Sequence, residues 1–275
     1  MCAADRFRTQ PKNSLFMNVK PLLALAALAT TAAHGVVLNG IDQANDAAYN
    51  PNWTNGSDGG TAGTFGAWLL TTTGSGNPND AGRFIGSSTT VGAPGADINS
   101  SGESFGMFGH SNRASEAYRD FNGNTLGVGQ TFSFDMAVNF RNGQKGVDIR
   151  NSSDVRIFNF NVGNLGSGDD YTVQFATTGN GSIGNAYSAN TAFNLSFTQT
   201  SLTGGTWTIV RSGGQTGTDT GTYTGVIENF KFYNDNTSGG VAENNLFFNN
   251  LTVVPEPGAA LLGSLGMLVL LRRRK

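Results

Sequence analysis

The sequence predicts an all-β protein, a two-sheet antiparallel β-sandwich of jelly-roll type, with a helical export signal at the N-terminus and a short hydrophobic helix at the C-terminus. Three observations lead there. Apolar and polar residues alternate along many short runs, which is the period of a strand with one buried face. Glycine (39 of 275 residues), asparagine, serine and threonine are abundant while Lys and Glu are scarce, a balance that disfavours helices and suits strands joined by tight turns. No repeat of propeller-blade length is visible, so about a dozen short strands in one domain argue for a sandwich.

The N-terminal segment, 1–33, reads as a signal peptide. Its first sixteen residues are polar and include Arg6, Arg8 and Lys12; an apolar run follows from Leu22 to Leu28, and small residues take over at Thr30, Thr31, Ala32 and Ala33. That is a basic n-region, an h-region and a small-residue exit, with cleavage expected after Ala33 or Gly35. Met17 stands just before the apolar run as an alternative start, which would leave 1–16 upstream of the protein.

The body, 34–252, is long enough for one large all-β domain with a real core. Its first expected strands are Val36 to Leu38, Ala67 to Thr72, Phe105 to Phe108 and Ala117 to Phe121. The clearest is Thr131 to Phe140, where Phe132, Phe134, Met136, Val138 and Phe140 share one face. Val147 to Ile149 follows, and then Val155 to Val162, in which Val155 and Ile157 have one parity and Phe158, Phe160 and Val162 the other. Either both faces of that segment are buried or a bulge shifts its register. Tyr171–Val173–Phe175, Phe193–Leu195–Phe197 and Trp207–Ile209 repeat the period of two, and Val226 to Tyr233 and Leu246 to Val253 complete the set.

Composition and spacing disfavour several chemistries. Between His34 and Val254 there are 9 basic and 17 acidic residues, a net charge of −8, the opposite of what neutralising phosphates requires, so no nucleic-acid partner is expected. Cys2 is the sole cysteine and lies in the expected signal, which leaves the body without disulfide or thiol chemistry. Two histidines, His34 and His110, are too few for a histidine-rich metal site, and His110 reads as a loop residue. Glu103, Glu116, Glu228 and Glu243 are isolated in sequence, so no paired-carboxylate motif of a glycoside hydrolase is present along any one strand. Asp120-Phe121-Asn122-Gly123-Asn124 mimics the start of a calcium loop but has Thr125 and Thr131 where Gly and Glu belong; Asp169-Asp170 and Asn234-Asp235-Asn236 are the other candidates, and Asx residues also form turns unaided. Trp53, Trp68 and Trp207 are candidates for a sugar-stacking platform, although Trp207 also fits a core strand. No metal, cofactor or catalytic residue is expected.

The C-terminal segment, 253–275, contains Pro255-Glu256-Pro257, an uncharged apolar run from Gly258 to Leu271, and the basic end Arg272-Arg273-Arg274-Lys275. The prolines cannot continue a helix, so the apolar run starts cleanly after them. Fourteen helical residues reach only about 21 Å against a hydrocarbon core of about 30 Å, a marginal permanent anchor. The basic end, kept on the cytoplasmic side, would leave the body outside. Motif, short helix and basic end, in that order, resemble the PEP-CTERM sorting tail. The resemblance covers the last two dozen residues or so and implies recognition, and cleavage near Pro255-Glu256-Pro257, by a membrane exosortase after signal peptidase has acted at Ala33. Gly129-Gln130-Thr131-Phe132-Ser133-Phe134-Asp135 with Gly146-Val147-Asp148-Ile149-Arg150 resembles mid-domain strands of concanavalin-like lectin and laminin-G sandwiches. Glu103-Ser104-Phe105-Gly106, Ala117-Tyr118-Arg119-Asp120-Phe121 and Phe247-Phe248-Asn249-Asn250-Leu251 are similar to recurring elements of PEP-CTERM surface proteins.

The expected protein is therefore exported, held at the inner membrane through its C-terminal helix until processed, and delivered to the cell envelope, outer surface or extracellular matrix. The resemblance implies a non-enzymatic role in adhesion or in association with secreted polysaccharide. A lectin-like glycan-binding module or a glycoside hydrolase on the same scaffold is the alternative.

Overall fold

A computed structural model describes residues 36–90, 93–163, 170–175 and 179–255. The expected signal helix, with Ala33, and the hydrophobic C-terminal helix lie outside them. Alternating side chains and positive-φ turn residues break the described chain into fifteen strands. These are β1 (Gly40–Asp42), β2 (Leu69–Gly74), β3 (Ala81–Gly86), β4 (Ser104–Gly109) and β5 (Arg113–Asp120). β6 (Gln130–Val138), β7 (Gln144–Arg150), β8 (Arg156–Asn161), β9 (Asp170–Phe175) and β10 (Gly179–Ala186) follow. β11 (Thr191–Ser201), β12 (Gly204–Gly213), β13 (Gly217–Thr224), β14 (Asn229–Asp235) and β15 (Leu246–Pro255) end the series.

The strands form two sheets. One runs β13-β12-β11-β6-β15-β4-β3 with β1 added beside β15, and the other runs β10-β9-β8-β7-β14-β5-β2. The chain passes repeatedly from one sheet to the other, so that β14 is inserted between β5 and β7, and β15 between β4 and β6. Every pairing between these strands is antiparallel. Sheet-swapping connections of this kind are how a double-sheet jelly roll closes over its core. The fold class read from the sequence is the one observed.

Between the sheets lies an aromatic core. Phe132 and Phe134 of β6 meet Phe230 and Phe232 of β14, and Phe232 stacks on Phe248 of β15 at 3.8 Å between centroids. Arg119 on β5 is buried in the same layer, where it ties down the segment before β2: it is ion-paired with Asp42 and Asp58 and donates to the carbonyls of Gly59 and Gly66. Its guanidinium also lies 5.0 Å from the Phe65 ring centroid and 4.9 Å from that of Trp68, so the charge is both paired and stacked, as burial demands.

The structure corrects several expected elements. Val36 and Val37 are exposed and precede the first strand. Phe140 is 45% exposed because β6 stops at Val138 and the chain turns, through Gly143 at φ 73°, into β7. The two parities of Val155 to Val162 come from a bulge. Ile149 pairs with Phe158 and Arg150 with Arg156, so Ile157 is an extra residue and both it and Phe158 enter the core. Strands β3, β10 and β13 had no apolar alternation to reveal them; β13, rich in Gly and Thr, is an edge strand that buries only Tyr223.

Candidate functional site

The outer face of the seven-stranded sheet carries a groove of about 270 Å³. Its floor follows from strand alternation. On β14, Phe230 and Phe232 point inward, so Lys231, Tyr233 and Asp235 point outward. Register then sets their neighbours: Lys231 lies between Tyr118 of β5 and Asp148 of β7, and Tyr233 between Glu116 and Gly146. Asn159 and Asn161 of β8 continue the rows beside Asp148 and Gly146.

Lys231 is the electrostatic centre. Its ammonium is 2.9 Å from Glu116 Oε1 and 3.5 Å from Asp148 Oδ2, and it stands 5.4 and 5.5 Å from the ring centroids of Tyr118 and Tyr233. Burial works against this charge, but the hydrogen bond to Glu116 and the carboxylates of Asp148 and Glu116 outweigh it and raise the pKa of Lys231 above the ordinary lysine value. Glu116 is held in turn by the hydroxyls of Thr71 and Tyr118, each donating to Oε2 at 3.3 Å. Asp235, at one end of the groove, has its carboxyl pushed up by burial and by the negative charge of Glu116.

Tyr233 is held by amides. Asn159 Nδ2 donates to its hydroxyl at 2.8 Å and Asn161 Nδ2 at 3.0 Å. Burial raises its pKa well above the ordinary tyrosine value, so the phenol stays protonated. Room for the ring depends on Gly146, since a Cβ there would strike the Phe160 carbonyl and approach the Tyr233 hydroxyl to 3.0 Å. A second depression, lined by Trp53, Leu70, Thr72 and Arg83 among others, offers Arg83 as its sole charged group.

Of the residues singled out in sequence, Glu116 and Asp235 enter this groove. The carboxylates of Glu116 and Asp148, remote in the chain, meet on one ammonium. His110 does not join them: its Nε2 lies 3.9 Å from Asp80 and its Nδ1 is hydrogen-bonded to Ser111. The Asp120 to Asn124 segment forms turns of its own, Asp120 Oδ1 accepting from the Asn122 backbone and Asn124 Nδ2 donating to the Phe121 and Asn122 carbonyls. Among the described residues no group of three or more His, Cys, Asp or Glu is placed to hold a metal. Trp53, Trp68 and Trp207 are all core residues, which corrects the stacking-platform expectation: their area is spent against other aromatic rings. Pro255 is the last residue of β15, opposite Gln130; Glu256, Pro257, Arg272, Arg273, Arg274 and Lys275 lie outside the described residues. Lys231, Tyr233, Asn159 and Asn161 were not singled out by sequence reasoning. The signal that could have found them was the alternation Phe-Lys-Phe-Tyr in β14 and Phe-Asn-Phe-Asn in β8, where large polar groups recur on the face that a core does not use.

No protein-family model matches this sequence, and no curated protein matches it either. Among solved structures the chain is similar to a marine alginate lyase from Aplysia kurodai (11% identity, TM-score 0.42, 80% of this chain and 99% of that one). It is also similar to the botulinum neurotoxin serotype G binding domain (12%, TM-score 0.41, 84% and 50%) and to a sialidase (10%, TM-score 0.40, 70% and 23%). The chain thus spans about half of the neurotoxin domain and less than a quarter of the sialidase. What the structure itself defines is a class: a two-sheet antiparallel β-sandwich with a polar, hydrogen-bonding groove on one outer face.

Proposed function

We propose that this is an exported surface or matrix protein, sorted through a PEP-CTERM tail, whose β-sandwich associates with extracellular polysaccharide by binding rather than by catalysis. The observation that carries the binding reading is the groove, where hydroxyl, amide, carboxylate and ammonium groups converge beside the Tyr233 ring. Sugar hydroxyls donate and accept at once, and a small number of placed polar groups is what orients such a ligand. Against hydrolysis stands Lys231: its one ammonium holds both Glu116 and Asp148 in ion pairs, so neither is a free carboxylate, whereas glycoside hydrolysis needs one protonated carboxyl and one free carboxylate flanking the bond. The test is retention of the purified domain on a polysaccharide panel, with reducing-end release assayed in parallel. Retention without release is expected; release that disappears in Glu116→Gln would overturn the non-enzymatic reading, and no retention on any polysaccharide would overturn binding.

The sorting reading rests on Pro255-Glu256-Pro257, the apolar run and Arg272 to Lys275. Replacing Pro255, Glu256 and Pro257 by alanine is expected to leave the protein uncut and retained with its tail. Unchanged mass and location would refute an exosortase as partner.

A further inference from the structure

We infer that the open mouth of the sandwich between the edge strands β2 and β3 is a second ligand site, built around Arg83 for the singly charged oxyanion, a carboxylate or sulfate ester, of an acidic glycan. The site is separate from the outer-face groove; only the glycan as carrier of the anion rests on the polysaccharide reading.

β2 and β3 each end their sheet, and a depression of about 420 Å³ opens between them, a volume within the range of small-ligand sites. Strand parity turns it toward the space between the sheets. Arg83 pairs with Met107, which is fully buried, and stands two residues from Ile85, which packs on the core. Paired and alternate residues share a face, so the Arg83 side chain leaves β3 on its inner side. Leu70 pairs with the fully buried Ala117, and by the same rule Leu70 and Thr72 face inward from β2. Trp53 lies behind them against Phe105 and Phe248, and Asn52 and Thr54 are exposed at the rim.

A cation on an inner face needs partners, because taking it out of water unpaired is costly. Arg119 and Lys145 obey this: the first has Asp42 and Asp58, the second two backbone carbonyls. Arg83 departs from it. Among the described residues it has no hydrogen-bond or ion-pair partner, and burial alone acts on its pKa, which it lowers. No carboxylate lines the mouth. Arg113 adds a second positive charge beyond Thr72, where it donates to Thr72 Oγ1 at 3.4 Å and to the Gly74 carbonyl at 2.7 Å. A guanidinium offers a planar fork of N–H donors that two oxygens of one carboxylate or sulfate ester fill together. A neutral sugar would leave the Arg83 charge uncompensated, whereas an acidic one supplies the missing partner and sets its hydroxyls beside Asn52, Thr54 and Thr72.

Isothermal titration calorimetry of the whole exported domain tests this with trisaccharides of one backbone length: trigalacturonate, a sulfated galactotriose and galactotriose itself. At least one of the acids should bind about tenfold more tightly than galactotriose, the worth of a charge-assisted hydrogen-bond pair. Arg83→Met should abolish that margin and Arg83→Lys should keep part of it. Since Arg83 has no partner to lose, Arg83→Met should leave the urea midpoint unchanged or raise it. Acids that bind no better than galactotriose, or a margin that survives Arg83→Met, would overturn the inference. So would a midpoint lowered by Arg83→Met, which would make Arg83 a structural residue, or displacement of the acid by inorganic sulfate at equal concentration, which would leave a site for bare anions only. Galactotriose binding unchanged by Arg83→Met would leave the outer-face groove standing in each of these cases; binding of no saccharide at all would overturn both readings.

Discussion

Phe232 and Tyr233 are consecutive residues of β14, and they serve two regions built on different physics. Phe232 joins an aromatic layer in which Phe134, Phe230 and Phe248 all contact it. Stability there comes from buried area and close packing, shared among many rings. Tyr233 joins a face where each group has a few named partners at hydrogen-bond distance, and its worth lies in direction rather than area. The core tolerates redistribution and sets whether the domain folds; the groove is where the proposed binding would be decided.

That contrast can be broken or sharpened by substitution. Phe232→Ala should cost about 3–5 kcal/mol by leaving a cavity against Phe248, read as a large fall in the urea midpoint; a loss below about 1 kcal/mol would deny the inner layer its role. Gly146→Ala tests where the two regions meet, because the new methyl would strike the Phe160 carbonyl in the sheet and crowd the Tyr233 hydroxyl in the groove. A loss of about 1–3 kcal/mol is expected, with weakened glycan retention in whatever fraction folds.

Lys145 offers a pH test of the inner region. It is fully buried near the start of β7, on the inward face, donating to the Phe140 carbonyl at 2.8 Å and the Asn244 carbonyl at 2.7 Å. Burial lowers its pKa from 10.5 to about 7. Between those values the unfolded chain holds a proton that the folded one releases, so stability should rise with pH across that window, by at most about 1.4 kcal/mol per pH unit. Urea midpoints at pH 7 and 9 should show the rise, and Lys145→Met should flatten it. Thr71→Val, on the groove side, removes one 3.3 Å hydrogen bond to Glu116. It should change stability by only about 0.5–1.5 kcal/mol, with binding affected more than the midpoint.

The inner region was the more legible. Thr131 to Val138 and Phe193 to Phe197 declare their buried face by period two alone, because hydrophobic burial acts on each residue independently of partners. Edge strands such as β13 stayed hidden, since a strand with one side in solvent and little to bury needs no apolar pattern. In the groove, Glu116 was visible only as an isolated acid, and Tyr233 and Asn161 only as polar residues in an alternating strand.

By itself the sequence determined the class: strand-built, double-layered, acidic in its body and free of cysteine there, with terminal segments that read as export and sorting signals. Tertiary structure alone decided that Glu116, Asp148 and Lys231 share one charge cluster and that two asparagines from β8 meet a tyrosine from β14. The reason is physical. Periodicity is a local property written into neighbouring residues, whereas strand order and register, which insert β14 between β5 and β7, fix the partners of every outward side chain.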